Sequence, residues 1–152
     1  MATPRDPTFA KFTSSEGKAY AASRGISYPP AVFQTILDFH KGATDLAVDV
    51  GCGPGNVTRD LAKYFERVVG LDNSPGMIDA ANAILRDEGG LEGRVRFGVC
   101  PAEGIDVEGA LEEGSVDVIT SAVAVSVSSY SHKSVDHIFG VTSFPIDMKG
   151  KE

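Results

Sequence analysis

The stretch Leu46-Ala-Val-Asp49-Val50-Gly51-Cys52-Gly53-Pro54-Gly55 decides how this chain folds. Leu46 to Val50 is short, almost wholly apolar and partly β-branched, the pattern of a parallel strand buried on both faces. It runs directly into glycines at alternate positions. Glycine there permits backbone angles closed to other residues and, lacking Cβ, lets a ligand lie against the main chain. Beyond the glycines, Val57, Leu61, Tyr64 and Phe65 recur at offsets of four, seven and eight, which is one face of a helix. Strand, glycine turn and helix in this order form the corner where open α/β sheets bind ligands.

The pattern extends in both directions. Arg67 to Leu71 reads as a second strand ending at Asp72, after which Ser74 supplies an N-cap and Pro75 the first helical residue. Met77, Ile78, Ala81, Ile84 and Leu85 form the apolar face of that helix, which Gly89-Gly90 ends. Arg94 to Val99 and Val116 to Thr120 read as the third and fourth strands. Upstream, Phe33, Ile36 and Leu37 place a helix over 31–40 with Gly42 at its C-cap, and residues 1–30 form an N-terminal arm with a short helix around Gly17 to Arg24. Such alternation predicts an α/β fold, a Rossmann-like parallel sheet with helices on both faces. From Ser121 onward the chain is rich in Ser and lacks Leu, so 125–152 is expected to be a loose tail, with a weak extended pattern around His137 to Val141.

Composition narrows the function. The 152 residues, 42% hydrophobic and 23% charged, are enough for one ordinary globular domain. A net charge of -7 without clusters of Lys or Arg argues against nucleic acid as a partner. No apolar run is long enough for a membrane span and the first residues do not resemble a signal peptide, so a cytoplasmic protein is expected. Cys52 and Cys100 are too few for a disulfide scaffold, and no metal site is expected from His132 and His137, which are five apart.

Two acidic residues identify the ligand class. Asp72 ends the second strand, 21 positions after Gly51, where a carboxylate can accept hydrogen bonds from ribose hydroxyls. A nicotinamide-binding loop would use nearly the same arrangement, but the G-x-G-x-x-G spacing requires Gly or Ala where Asn56 stands. Asp49, two residues before the first glycine, would repel a pyrophosphate and attract an ammonium or sulfonium. The loop is therefore expected to take a cationic nucleoside.

At this point the residues resemble a family. Asp49-x-Gly51-x-Gly53-x-Gly55 is similar to motif I of class I S-adenosylmethionine-dependent methyltransferases. Gly70-Leu-Asp72-Asn73-Ser74-Pro75-Gly76-Met77-Ile78 resembles their strand-two signature, Phe97-Gly-Val-Cys-Pro-Ala102-Glu103 the segment passing adenine, and Gly114-Ser-Val-Asp117-Val-Ile119 the entry into strand four. Tyr20-Ala-Ala-Ser-Arg24-Gly-Ile-Ser-Tyr28-Pro29 looks like the arm of the type 11 group, near the trans-aconitate methyltransferases.

The resemblance implies S-adenosyl-L-methionine as cofactor, bound by Asp49, Gly51, Cys52, Gly53, Gly55, Asp72, Asn73, Met77, Ala102 and Glu103. Cys52 is expected to fill the loop rather than act as a nucleophile. No catalytic residue is assigned, because the methyl donor is already activated. The implied acceptor is a small molecule, a carboxylic acid being the class that needs no general base. For Tyr20 and Arg24 two readings stay open: lining the active site, or packing on the helix at 31–40 for Tyr20 and solvation for Arg24.

The resemblance covers about residues 9–124, with 31–124 as the N-terminal part of a methyltransferase domain holding about four of the family's seven strands. A truncated domain is therefore expected, in which the far edge of the fourth strand is unpaired and invites self-association. A non-catalytic cofactor-binding remnant, a module completed by a partner, and, behind both, an NAD-dependent oxidoreductase remain as alternatives.

Overall fold

The computed structural model describes residues 12–24, 28–100, 116–122 and 137–141, with Arg24, Ala122 and 137–141 described by their backbone. Five strands, β1 (Leu46–Val50), β2 (Arg67–Asp72), β3 (Val95–Val99), β4 (Val118–Ala122) and β5 (His137–Val141), form one sheet. Their order is β3-β2-β1-β4-β5, and every pairing is parallel. The chain moves outward from β1 to β3 and then returns to place β4 on the other side of β1. The switch point therefore falls at the C-terminal end of β1, where the glycine turn begins.

Alternation along the strands builds two cores. Ala47, Val68, Val95 and Val118 face Phe33 and Ile36 of α2 (Pro30–His40), Leu61 of α3 (Asn56–Leu61), Phe65, and Leu85 of α4 (Pro75–Glu88). Leu46, Val48, Val50, Val69, Leu71 and Ile119 form a second buried cluster on the opposite face. Two-sided burial is the reason these strands are apolar at consecutive positions.

The N-terminal helix α1 (Ser14–Arg24) starts a turn earlier than expected. Thr13 and Glu16 form a capping box: the Thr13 amide and hydroxyl both donate to Glu16 Oε2 at 2.7 Å, and the Glu16 amide donates back to Thr13 Oγ1 at 3.3 Å. These bonds hold the Glu16 carboxyl below its ordinary range. The helix lies on α4 across small residues. A Cβ on Gly17 would stand 2.8 Å from that of Ala80, and one on Gly76 would collide with the Phe12 carbonyl.

Four details depart from expectation. The left-handed residue closing α2 is Lys41, at φ 49, rather than Gly42; its amide donates to the Leu37 carbonyl at 3.0 Å. Helix α3 stops at Leu61, and Tyr64 and Phe65 reach the core from the turn that follows. The fourth strand begins at Val118 rather than Val116, because the Asp117 carboxylate accepts from the Asp45 and Leu46 amides at 2.8 and 2.9 Å and so serves the start of β1. Finally, the far edge of β4 is not unpaired. β5 covers it, with Ser121 opposite Gly140, so the expected tail contributes a strand where the weak extended pattern stood.

Candidate functional site

The glycine turn follows β1 because β1 and β2 end level with each other and the Leu71 carbonyl caps the turn, accepting from the Gly51 amide at 2.7 Å and the Cys52 amide at 3.0 Å. Gly51, Gly53 and Gly55 all have positive φ. Among the described residues, Gly53, at φ 53, has no neighbour within 4 Å of the position its Cβ would take. The loop therefore presents bare backbone to open space at this residue. Gly55, at φ 82, serves packing instead: the Phe97 ring from β3 occupies the place of its side chain and also that of Gly70 on β2.

Asp72 grips this turn from β2. One carboxylate oxygen accepts from the Gly53 amide at 2.8 Å and the other from the Ser74 amide at 2.9 Å. Each oxygen has lone pairs to spare, and the side chain is partly exposed, so it can still accept from a ligand hydroxyl. Ser74 caps α4 as expected, its Oγ accepting from the Met77 amide at 3.4 Å.

Asp49 lies beneath the turn. It is 1% exposed, on the face of β1 that meets α3. Thr58 Oγ1 donates to one oxygen at 2.7 Å and Thr120 Oγ1 on β4 to the other at 2.9 Å. Burial pushes its carboxyl up to about 6, the two hydroxyls pull it down, and the nearby charge of Asp72 adds to the rise. Asp49 thus ties β1, α3 and β4 together beneath the turn.

The other expected residues divide. Gly51, Gly53, Gly55, Asp72 and the exposed Asn73 are gathered at the C-terminal ends of β1 and β2. Cys52 is buried within the turn; burial first, then the charges of Asp49 and Asp72, push its thiol well above the ordinary range, which keeps it protonated. Met77 is buried against α1, its sulfur turned to Gly17. Tyr20 lies on α1 with its ring edge-on to Phe12, centroids 6.0 Å apart, and Arg24 is the last residue of that helix. Ala102 and Glu103 lie outside the described residues.

Several residues emerge only in three dimensions. Thr58 and Thr120 hold Asp49. Arg59 fastens the back of the turn, donating to the Pro54 carbonyl and to Asn56 Oδ1, both at 2.9 Å, and pairing with Glu88 at 3.0 Å. The side chain of Asn56, where a dinucleotide loop would have Gly or Ala, is thus already engaged. Ser121, near the end of β4, is 4% exposed, and its hydroxyl has no hydrogen-bond partner among the described residues. Thr58, in the first turn after the glycines, was open to reading from its spacing; Thr120 and Ser121 carry no local signal.

The methyltransferase domain family matches residues 47–142, from β1 through β5. The chain belongs to this family. Among similar proteins, a Saccharomyces cerevisiae protein named as a probable S-adenosylmethionine-dependent methyltransferase is 35% identical over 99 residues, covering 65% of this chain and 33% of its own length. The trans-aconitate 2-methyltransferase of Methylobacterium radiotolerans is 51% identical over 45 residues, 28% of this chain and 17% of that protein. The structure of phosphoethanolamine N-methyltransferase 2 from Haemonchus contortus, in complex with S-adenosyl-L-methionine, is similar in fold, with a TM-score of 0.58 at 23% identity over 82% of this chain and 29% of that one. This methyltransferase chain spans about a third to two fifths of the length of the first curated relatives it matches. Among the described residues, no helix is long and apolar enough to cross a membrane.

Proposed function

We propose that the chain builds the cofactor site of an S-adenosyl-L-methionine-dependent methyltransferase acting on a small molecule. One observation carries this reading: Gly53 offers bare backbone to open space beside a carboxylate, Asp72, already positioned by the same turn. The donor set fits a cationic nucleoside. Spare lone pairs on Asp72 suit ribose hydroxyls, and the charges of Asp49 and Asp72 favour a sulfonium or ammonium over a pyrophosphate.

When bound, the cofactor supplies a methyl group already activated on a sulfonium, so the protein's task is alignment. Gly51 to Gly55 hold the ligand against the main chain, Asp72 orients the sugar, and the clasp of Asp49 by Thr58 and Thr120 keeps the turn in register with β4. A carboxylic acid is the acceptor class we favour, because it is ionised at neutral pH and asks no general base of the protein. Partial similarity to trans-aconitate 2-methyltransferases supports that choice, and Arg24, closing α1, is the candidate cation to position it. Neither Cys52 nor Cys100 is in a disulfide, in keeping with a cytoplasmic setting.

Calorimetric titration with S-adenosylhomocysteine tests the reading without requiring an acceptor. Saturable binding that is lost in Asp72→Ala is the expected result. A folded chain that binds NAD more tightly than S-adenosylhomocysteine would overturn it.

A further inference from the structure

We infer that Arg59 is a positioning residue for the cofactor: from the back of the glycine turn it fixes the backbone that the ligand meets at the front. This rests on the methyltransferase reading above. The guanidinium engages three partners at once. Nη1 donates to the Pro54 carbonyl and Nη2 to Asn56 Oδ1, both at 2.9 Å, while Nε pairs with Glu88 of α4 at 3.0 Å.

The turn needs such a hold. Gly51, Gly53 and Gly55 all take positive φ, and a glycine that reaches this region reaches many others as well. Two peptide groups of the turn are hydrogen-bonded in series. The Gly53 amide donates to Asp72, and the Cys52 carbonyl of the same peptide accepts from the Gly55 amide at 3.0 Å. The Pro54 carbonyl, on the peptide that carries the Gly55 amide, accepts from Arg59. A carboxylate thus closes this series on the ligand side and a guanidinium closes it at the back, each facing the end of the peptide dipole that it attracts. Without Arg59 the Pro54–Gly55 peptide loses its outer partner, and the ligand must order the turn as it binds.

The anchor lies outside the turn. Glu88 is the last residue of α4, a helix held by α1 and β3. The Arg59 side chain is 13% exposed and that of Glu88 54%, and both line a cleft of about 360 Å³ whose walls also include Ala21 of α1. Neither Gly53 nor Asp72 is among the described residues that line it, so a small solute reaches the guanidinium without entering the ligand's side of the turn. The residue type follows from geometry: three bonds leaving one planar group in fixed directions are beyond a lysine ammonium.

The test titrates Arg59→Ala, Arg59→Lys and the unaltered chain with S-adenosylhomocysteine, below the temperature at which any of them begins to melt. The expected result is about tenfold weaker binding by both variants. Ethylguanidinium, which replaces what the alanine variant lacks, should restore its affinity through the cleft, and propylammonium should not. In the ligand-free alanine variant, amide hydrogen exchange should quicken at Gly53 and Gly55 by more than at Val68 to Leu71 of β2. A purely structural arginine would quicken both sets alike and leave the affinity of the folded molecules unchanged; either result would overturn the inference. Full affinity in Arg59→Lys would overturn it too, since the fork would then be idle. Should the alanine variant not fold, the lysine variant carries the same comparison. If the unaltered, folded chain binds no S-adenosylhomocysteine, the methyltransferase reading fails and this inference with it. If it binds and the variants bind equally well, only the role of Arg59 fails.

Discussion

Thr120 Oγ1 on β4 donates to Asp49 Oδ1 on β1 across 2.9 Å, joining residues 71 positions apart in the chain. With Thr58 on the other oxygen, the carboxylate becomes the buried centre of three elements that meet under the glycine turn. Removing either hydroxyl leaves a buried carboxylate oxygen unmet. Thr58→Val and Thr120→Val should each cost about 1–3 kcal/mol of stability. Urea unfolding measures both, and the double variant should depart from additivity because the two share one partner. Additive, near-neutral effects would mean that the clasp contributes little.

Asp49 also makes a pH prediction. Its carboxyl is raised from 3.8 to about 6 in the folded chain, so the folded state holds the proton more tightly than the unfolded one. Stability from this group is therefore fully present below the unfolded value and is lost as pH rises through about 6. The loss amounts to on the order of 3 kcal/mol. Asp49→Asn cannot titrate, so its urea midpoint should fall less than that of the unaltered chain between acid and neutral pH. Equal slopes for the two proteins would contradict the buried charge.

Gly53 and Gly55 separate binding from folding. At Gly53 an added methyl meets open space, so Gly53→Ala incurs only the left-handed backbone, about 1–2 kcal/mol, yet it fills the surface offered to the ligand. S-adenosylhomocysteine affinity should collapse while the fold survives. At Gly55 the methyl would enter the Phe97 ring, so Gly55→Ala should unfold the chain at lower urea than Gly53→Ala does. The reverse ranking would contradict this division.

Arg94 offers a test of the turn after α3. Its guanidinium donates to the carbonyls of Ala62 at 2.6 Å, Phe65 at 3.0 Å and Glu66 at 3.1 Å. A lysine cannot reproduce that fork. Arg94→Lys should therefore lose stability nearly as Arg94→Ala does, by about 1–3 kcal/mol, read from thermal melting. Full retention by lysine would show that the charge alone matters.

How far the chain could be read beforehand follows from the range of each interaction. The turn, Asp72 and the Ser74 cap were legible because their partners lie within a few residues or at the ends of neighbouring strands. The Thr13–Glu16 capping box is equally local, and it starts at Ser14 a helix that the sequence shows only as a short one around Gly17 to Arg24. Gly42 suits a helix cap because glycine tolerates positive φ, yet Lys41 adopts it. β5 left only a weak trace: a five-residue strand becomes stable by pairing with β4, and its own residues do not announce that pairing.

Short-range chemistry was therefore sufficient to specify a parallel α/β sheet, a glycine turn at the end of β1 and an acidic partner at the end of β2. Backbone angles, hydrophobic periodicity and capping act between near neighbours and leave their mark in the order of residues. Tertiary structure alone buried Asp49 beneath the turn, matched Thr58 with Thr120 around it, filled the Gly55 and Gly70 positions with Phe97, and left the buried Ser121 hydroxyl without a partner among the described residues. Those outcomes depend on strand register and on which face each side chain takes, and both are set by the packing of the whole sheet.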